Sequence, residues 1–221
     1  MAELVTPAGR RSLDLRLYLV TDTVMCGEFG VPATVTAAVR AGVTTVQLRD
    51  PDADDAEFVE LGRAVAAVLR GSGVPLIVND RVHLVRTVGA DGAHIGQGDL
   101  DPIAARAIIG PDAVLGLSVQ TRSHLGAADR LPPRVIDYLG VGPVWAQNTK
   151  SDAAEPGGPA LLADLVTRSR WPCVAIGGID AARARLVRDT GAAGVAVVSA
   201  ICGQPDVGAA TGRLRRAWDE A

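Results

Sequence analysis

Eight short apolar runs recur along the chain: LYLV from Leu17, TVQL from Thr45, LIVN from Leu76, AHIG from Ala93, VLGLS from Val114, YLGVG from Tyr138, VAIGG from Val174 and VAVVS from Val195. Their starts lie 17 to 36 residues apart. Each run is nearly continuous in apolar residues, the pattern of a strand covered on both faces. Between most of them lies an Ala/Leu/Val/Arg-rich stretch with helical spacing, as at Asp55–Leu69 and at residues 103–109, 159–169 and 181–189. Strand alternating with helix predicts parallel β/α units. An open doubly wound sheet alternates too. Eight units with short helices in a chain of 221 residues fit better a closed (β/α)8 TIM barrel at the small end of its size range. The expected organisation is one α/β domain over residues 1–221, with a short N-terminal extension of about 1–14. Residues 142–159 form one long interruption after the sixth run; such a loop is either functional or a passive insertion.

Composition narrows the function classes. Hydrophobic residues make up 48% and charged residues 21%, with a formal net charge of −3. That excludes disorder and gives no basic excess for nucleic acid or an anionic membrane. Cys26, Cys173 and Cys202 form no CxxC pair, which suits a reducing cytosol better than a disulfide or zinc framework. The first residues lack an apolar signal core, and no apolar run approaches the ~18–20 residues that span a membrane. A cytoplasmic protein is expected, with small-molecule partners and a homo-oligomer left open.

Barrel chemistry is placed at the C-terminal ends of the strands, and polar groups gather there. Thr21-Asp22 follows the first run, Gln47, Arg49 and Asp50 end the second, and Asn79 and Asp80 end the third. Gln97 and Asp99 follow the fourth, and Ser118 ends the fifth. Gly177-Gly178 and Val198-Ser199 follow the seventh and eighth, where barrels commonly bind phosphate; a tight turn would also call for glycine. Asp80 and Asp99 end adjacent units, so they are candidates for a magnesium ion or for helix N-caps. Lys150 is the single lysine, beside 21 arginines, and falls in the long loop. Arg49 can fork two phosphate oxygens or pair with Asp50 or Asp80. His94, within the fourth run, is expected to be a core histidine with a satisfied partner, and His83 and His124 to be exposed. Trp145 is either a stacking platform or a loop anchor. The cysteines are expected to be fillers.

The ordered motifs YLVTD, VQLRD, VNDRV, HIGQGD, GLS, DYLGVGPV with a later TK, AIGGI and VAVVSAI resemble those of the thiamine phosphate synthase family across residues 17–201. The resemblance implies a (β/α)8 barrel and a transferase of thiamine biosynthesis. Its reaction condenses 4-amino-2-methyl-5-hydroxymethylpyrimidine diphosphate with 4-methyl-5-(2-hydroxyethyl)thiazole phosphate, releasing pyrophosphate by a dissociative, Mg2+-assisted substitution. Carried over by position, Gln47, Arg49, Asn79, Ser118 and Lys150 are the expected pyrimidine-diphosphate contacts, with Lys150, Arg49 and Ser118 catalytic. Asp80 and Asp99 are the expected Mg2+ ligands, and Thr149, Gly178, Val198 and Ser199 the contacts to the thiazole phosphate. Two positions depart from the family pattern: Pro51 replaces a lysine, and Gln147 a threonine. A thiazole phosphate tautomerase would need neither paired metal ligands nor diphosphate cations, so Asp80, Asp99 and Arg49 argue against it. A non-catalytic sensor of thiamine precursors draws only on Pro51 and Gln147.

Overall fold

The structure, a computed structural model, describes residues 13–147 and 155–220. Within them eight strands form a closed barrel: β1 (Leu17–Val20), β2 (Thr45–Leu48), β3 (Leu76–Asn79), β4 (Gly92–Ile95), β5 (Val114–Val119), β6 (Tyr138–Val141), β7 (Cys173–Ile176) and β8 (Gly194–Val197). Every neighbouring pair is parallel, and β1 closes the ring against β8 through Leu17↔Val195 and Leu19↔Val197. The expected (β/α)8 barrel is therefore the observed fold.

Alternation along each strand separates two cores. Outward residues such as Leu19, Val46, Leu48, Val78, Ile95, Leu115 and Leu139 are fully buried beneath the surrounding helices. Inward residues, among them Tyr18, Val20, Ile77, Tyr138, Val174 and Ala196, form a separate cluster inside the ring. The longest helix, Asp55–Leu69, shows how the outer layer is made. Asp54 accepts from the backbone N–H of Ala56 and Glu57, while Glu57 accepts from the N–H of Asp54, a reciprocal cap that starts the helix. Phe58, Gly62, Val65 and Leu69 then face the barrel, and burying Phe58 contributes about 2–3 kcal/mol. Gly62 sits where a Cβ would lie 2.8 Å from Val88 Cγ1 of the neighbouring helix Val85–Val88 and 3.2 Å from Leu48 Cδ2 of β2, so the close packing of the helix at this point needs that glycine.

The N-terminal side of the barrel is sealed by Leu15, which is buried with the inner cluster. A Cβ on Gly194 would fall 1.6 Å from the Leu15 carbonyl oxygen, so β8 needs glycine where the entering chain crosses it. On the same side Arg106 bonds Asp137 (2.7 Å) and the carbonyls of Val135, Gly110 and Ala113. All three cysteines are buried and free. No helix among the described residues is long and apolar enough to cross a membrane.

Candidate active site

The C-terminal strand ends enclose a cavity of about 170 Å³. Gln47 and Arg49 reach it from β2, Asn79 from β3, His94 from β4 and Ser118 from β5. The opposite wall is Gly177, Gly178, Val198 and Ser199, from the loops after β7 and β8. Seven of the residues expected from the sequence thus meet at one place: Gln47, Arg49, Asn79, Ser118, Gly178, Val198 and Ser199. Gln147 also lines the cavity. Thr149 and Lys150 lie outside the described residues.

Arg49 is held at the rim by its own backbone. Its N–H donates to Thr21 Oγ1 (3.0 Å), and its guanidinium stands 4.0 Å from the Asp22 carboxylate. The ion-pair partner is therefore Asp22 rather than Asp50 or Asp80. Asp50 instead accepts from Thr23 Oγ1 (2.7 Å).

Gly177 and Gly178 have φ of +103° and +63°, angles that disfavour a side chain. A Cβ on Gly178 would also lie 2.6 Å from the Ala146 carbonyl oxygen, where the loop after β6 crosses. Backbone geometry alone accounts for both glycines. The backbone N–H groups of Gly178 and Ser199 nonetheless donate to no acceptor among the described residues, so both are available to an anion.

Neither Asp80 nor Asp99 is a helix cap. The turn after Asp80, Val82–Leu84, has no side-chain cap, and Asp101 caps the helix Pro102–Ile109. Asp80 has φ +58°, an uncommon conformation for a residue with a side chain, and accepts from Asn79 Nδ2 at 2.5 Å. Asp99 accepts from the N–H of Gly96 at 2.6 Å. Two carboxylates on neighbouring loops suit Mg2+, which takes one or two carboxylates and completes its shell with substrate phosphate and water. The described residues hold no group of three or more metal-ligating side chains, so they do not build an all-protein cage.

The cavity floor is a connected set of buried polar groups. Gln47 Nε2 donates to the Tyr18 hydroxyl at 2.9 Å, and the Tyr18 and Tyr138 hydroxyls are 2.8 Å apart. His94 Nδ1 lies 3.0 Å from the Tyr138 hydroxyl, and His94 Nε2 lies 3.0 Å from Ser118 Oγ. Burial pushes both tyrosine hydroxyls well above their ordinary titration range, so both stay protonated. His94 is thus satisfied, as expected, yet it also faces the cavity. Tyr18 and Tyr138 are not among the residues expected at the site from the sequence. A signal was present, since they are the only two tyrosines and each stands at an inward position of its strand.

Other expectations resolve as structure rather than chemistry. Trp145 lies under the Arg183 guanidinium, 5.0 Å from the ring centroid, while Arg183 also bonds the Gly178 carbonyl; it anchors its loop. His83 is exposed and pairs with Asp55. His124 is half-buried rather than exposed, and its Nδ1 accepts from the N–H of Gln120.

A closed parallel barrel with polar strand ends converging on one mouth defines a (β/α)8-barrel enzyme. The family model described as thiamine monophosphate synthase matches residues 17–201. Thiamine-phosphate synthase of Azorhizobium caulinodans is 49% identical over 91% of this chain and 94% of its own. That of Psychrobacter sp. is 47% identical over 87% and 90%. Among solved structures, thiamine phosphate pyrophosphorylase from Pyrococcus furiosus superposes with a TM-score of 0.84 at 33% identity, covering 94% of this chain and 97% of that one. The chain belongs to the thiamine monophosphate synthase family.

Proposed function

We propose that this enzyme condenses 4-amino-2-methyl-5-hydroxymethylpyrimidine diphosphate with 4-methyl-5-(2-hydroxyethyl)thiazole phosphate to give thiamine phosphate and pyrophosphate. The observation that carries the reading is the meeting of Gln47, Arg49, Asn79 and Ser118 with Gly178, Val198 and Ser199 around one cavity. A pyrimidine diphosphate suits the first group and a thiazole phosphate the second. The C–O bond to pyrophosphate breaks, and the thiazole nitrogen supplies the electron pair of the new C–N bond. That nitrogen already has its lone pair, so no protein base is required to create the nucleophile.

The demand on the protein is electrostatic, because negative charge accumulates on the leaving pyrophosphate. Arg49 meets it from the rim, and Lys150 is assigned the same part by the family resemblance. Asp80 and Asp99 would hold Mg2+ near the diphosphate, where the ion would supply further positive charge. The two phosphate ends orient the reacting rings, a contribution of proximity. Three buried free cysteines suit a reducing compartment, the cytoplasm.

The test is pyrophosphate release by the pure protein given both substrates and Mg2+. Release that needs all three components, with thiamine phosphate formed in equal amount, is expected. A shifted thiazole double bond without pyrophosphate, or binding of both compounds without turnover, overturns the reading.

A further inference from the structure

We propose that the floor of the cavity is a one-way hydrogen-bond chain, Gln47 to Tyr18 to Tyr138 to His94 to Ser118, which holds the Ser118 hydroxyl as a donor aimed into the cavity. This rests on the reading of Ser118 as a substrate contact. It makes Tyr18, Tyr138 and His94 positioning residues.

The direction follows from counting hydrogens. Gln47 Nε2 can only donate, so the Tyr18 oxygen accepts from it at 2.9 Å. Tyr18 is 1% exposed, and its own hydrogen needs an acceptor inside the barrel; the Tyr138 oxygen at 2.8 Å provides one. Tyr138 is fully buried, so its hydrogen goes on to His94 Nδ1 at 3.0 Å. A neutral imidazole with Nδ1 accepting carries its hydrogen on Nε2, which donates to Ser118 Oγ at 3.0 Å. One lone pair of Ser118 is thereby taken, and its O–H is left to face the ligand. Ser118 then favours an acceptor atom, a ring nitrogen or an anionic oxygen. At the far end Gln47, which also lines the cavity, has spent an N–H on Tyr18.

Two glycines show that space is reserved for this chain. A Cβ on Gly116 would lie 2.2 Å from Tyr138 Cζ and 2.3 Å from His94 Nδ1, and a Cβ on Gly140 would lie 2.8 Å from His94 Cε1. Both occupy mid-strand positions of β5 and β6, where glycine weakens a strand. The relay is what they accommodate.

Nitrogen-15 NMR of the histidine-labelled parent protein tests the direction without any substrate. His94 is expected as the Nε2–H tautomer; an Nδ1–H tautomer or a doubly protonated ring overturns the proposal. A double-mutant cycle tests the consequence for catalysis. Tyr138→Phe should lower kcat/KM about tenfold in the parent, the size of one lost hydrogen bond, but less than about threefold in a Ser118→Ala background. Equal losses in both backgrounds would mean that Tyr138 serves packing alone and would overturn the relay. If Ser118→Ala itself leaves kcat/KM unchanged, the assignment of Ser118 to the substrate fails instead, and the NMR result still decides the direction of the chain.

Discussion

Gly116 has no side chain because His94 and Tyr138 stand in the volume one would need. Gly116→Ala must push two fully packed rings at 2.2–2.3 Å, a clash no rotamer relieves, so a loss of about 2–4 kcal/mol in urea unfolding is expected. Gly140→Ala meets only the edge of the imidazole at 2.8 Å and should cost less, about 1–2 kcal/mol. The reverse ranking would mean that the rings are free to move. Asp80 and Asp99 carry a second prediction. Neither caps a helix, so Asp80→Asn and Asp99→Asn should leave the melting temperature nearly unchanged while raising the Mg2+ concentration at half-maximal turnover and lowering the maximal rate. Unaltered Mg2+ dependence in both variants would remove the metal assignment.

Among the elements, the helix Pro102–Ile109 is tied to the base of β6 by one arginine. Arg106 makes its bonds to Asp137 and three carbonyls with both side chains largely buried, at 12% and 19% exposure. Arg106→Met keeps the aliphatic stem but removes the 2.7 Å ion pair to Asp137 and the bonds to the three carbonyls. A loss of about 3 kcal/mol is expected, with kcat and KM unchanged because the network lies at the end of the barrel away from the cavity. Element boundaries also explain what the sequence could reveal. The eight apolar runs were legible because outward residues such as Leu17, Leu19, Val195 and Val197 must be apolar on a helix-covered wall. The strands begin one residue earlier than their runs at Gly92, Cys173 and Gly194. Glycine at Gly92 and Gly194 answers to close backbone approach, which apolar patterning does not record. The capping alternative for Asp80 and Asp99 fails for a related reason: both precede helical segments in sequence, yet one sits at positive φ and the other spends an oxygen on Gly96, leaving Asp101 to start the helix.

For the molecule as a whole, strand-end polar residues were readable one at a time because each follows its own apolar run. The relay was not, because Tyr18 and Tyr138 are 120 residues apart and meet only across the closed ring. Closure also has a consequence in time. The strands leave the ribosome in ring order, and β1 waits through the whole sequence for β8, its partner at the seam. Until residues 194–197 arrive, β1 and β7 both expose unpaired edges, the state most open to aggregation. Val198 and Ser199 follow immediately, so their part of the cavity wall is completed by the same event that seals the ring. On the proposed function a phosphorylated ligand would rest on that wall, bind closed rings alone and add its binding free energy to that of closure. Thiazole phosphate is therefore expected to raise the melting temperature; an unchanged melting temperature would mean that the ligand does not use this wall.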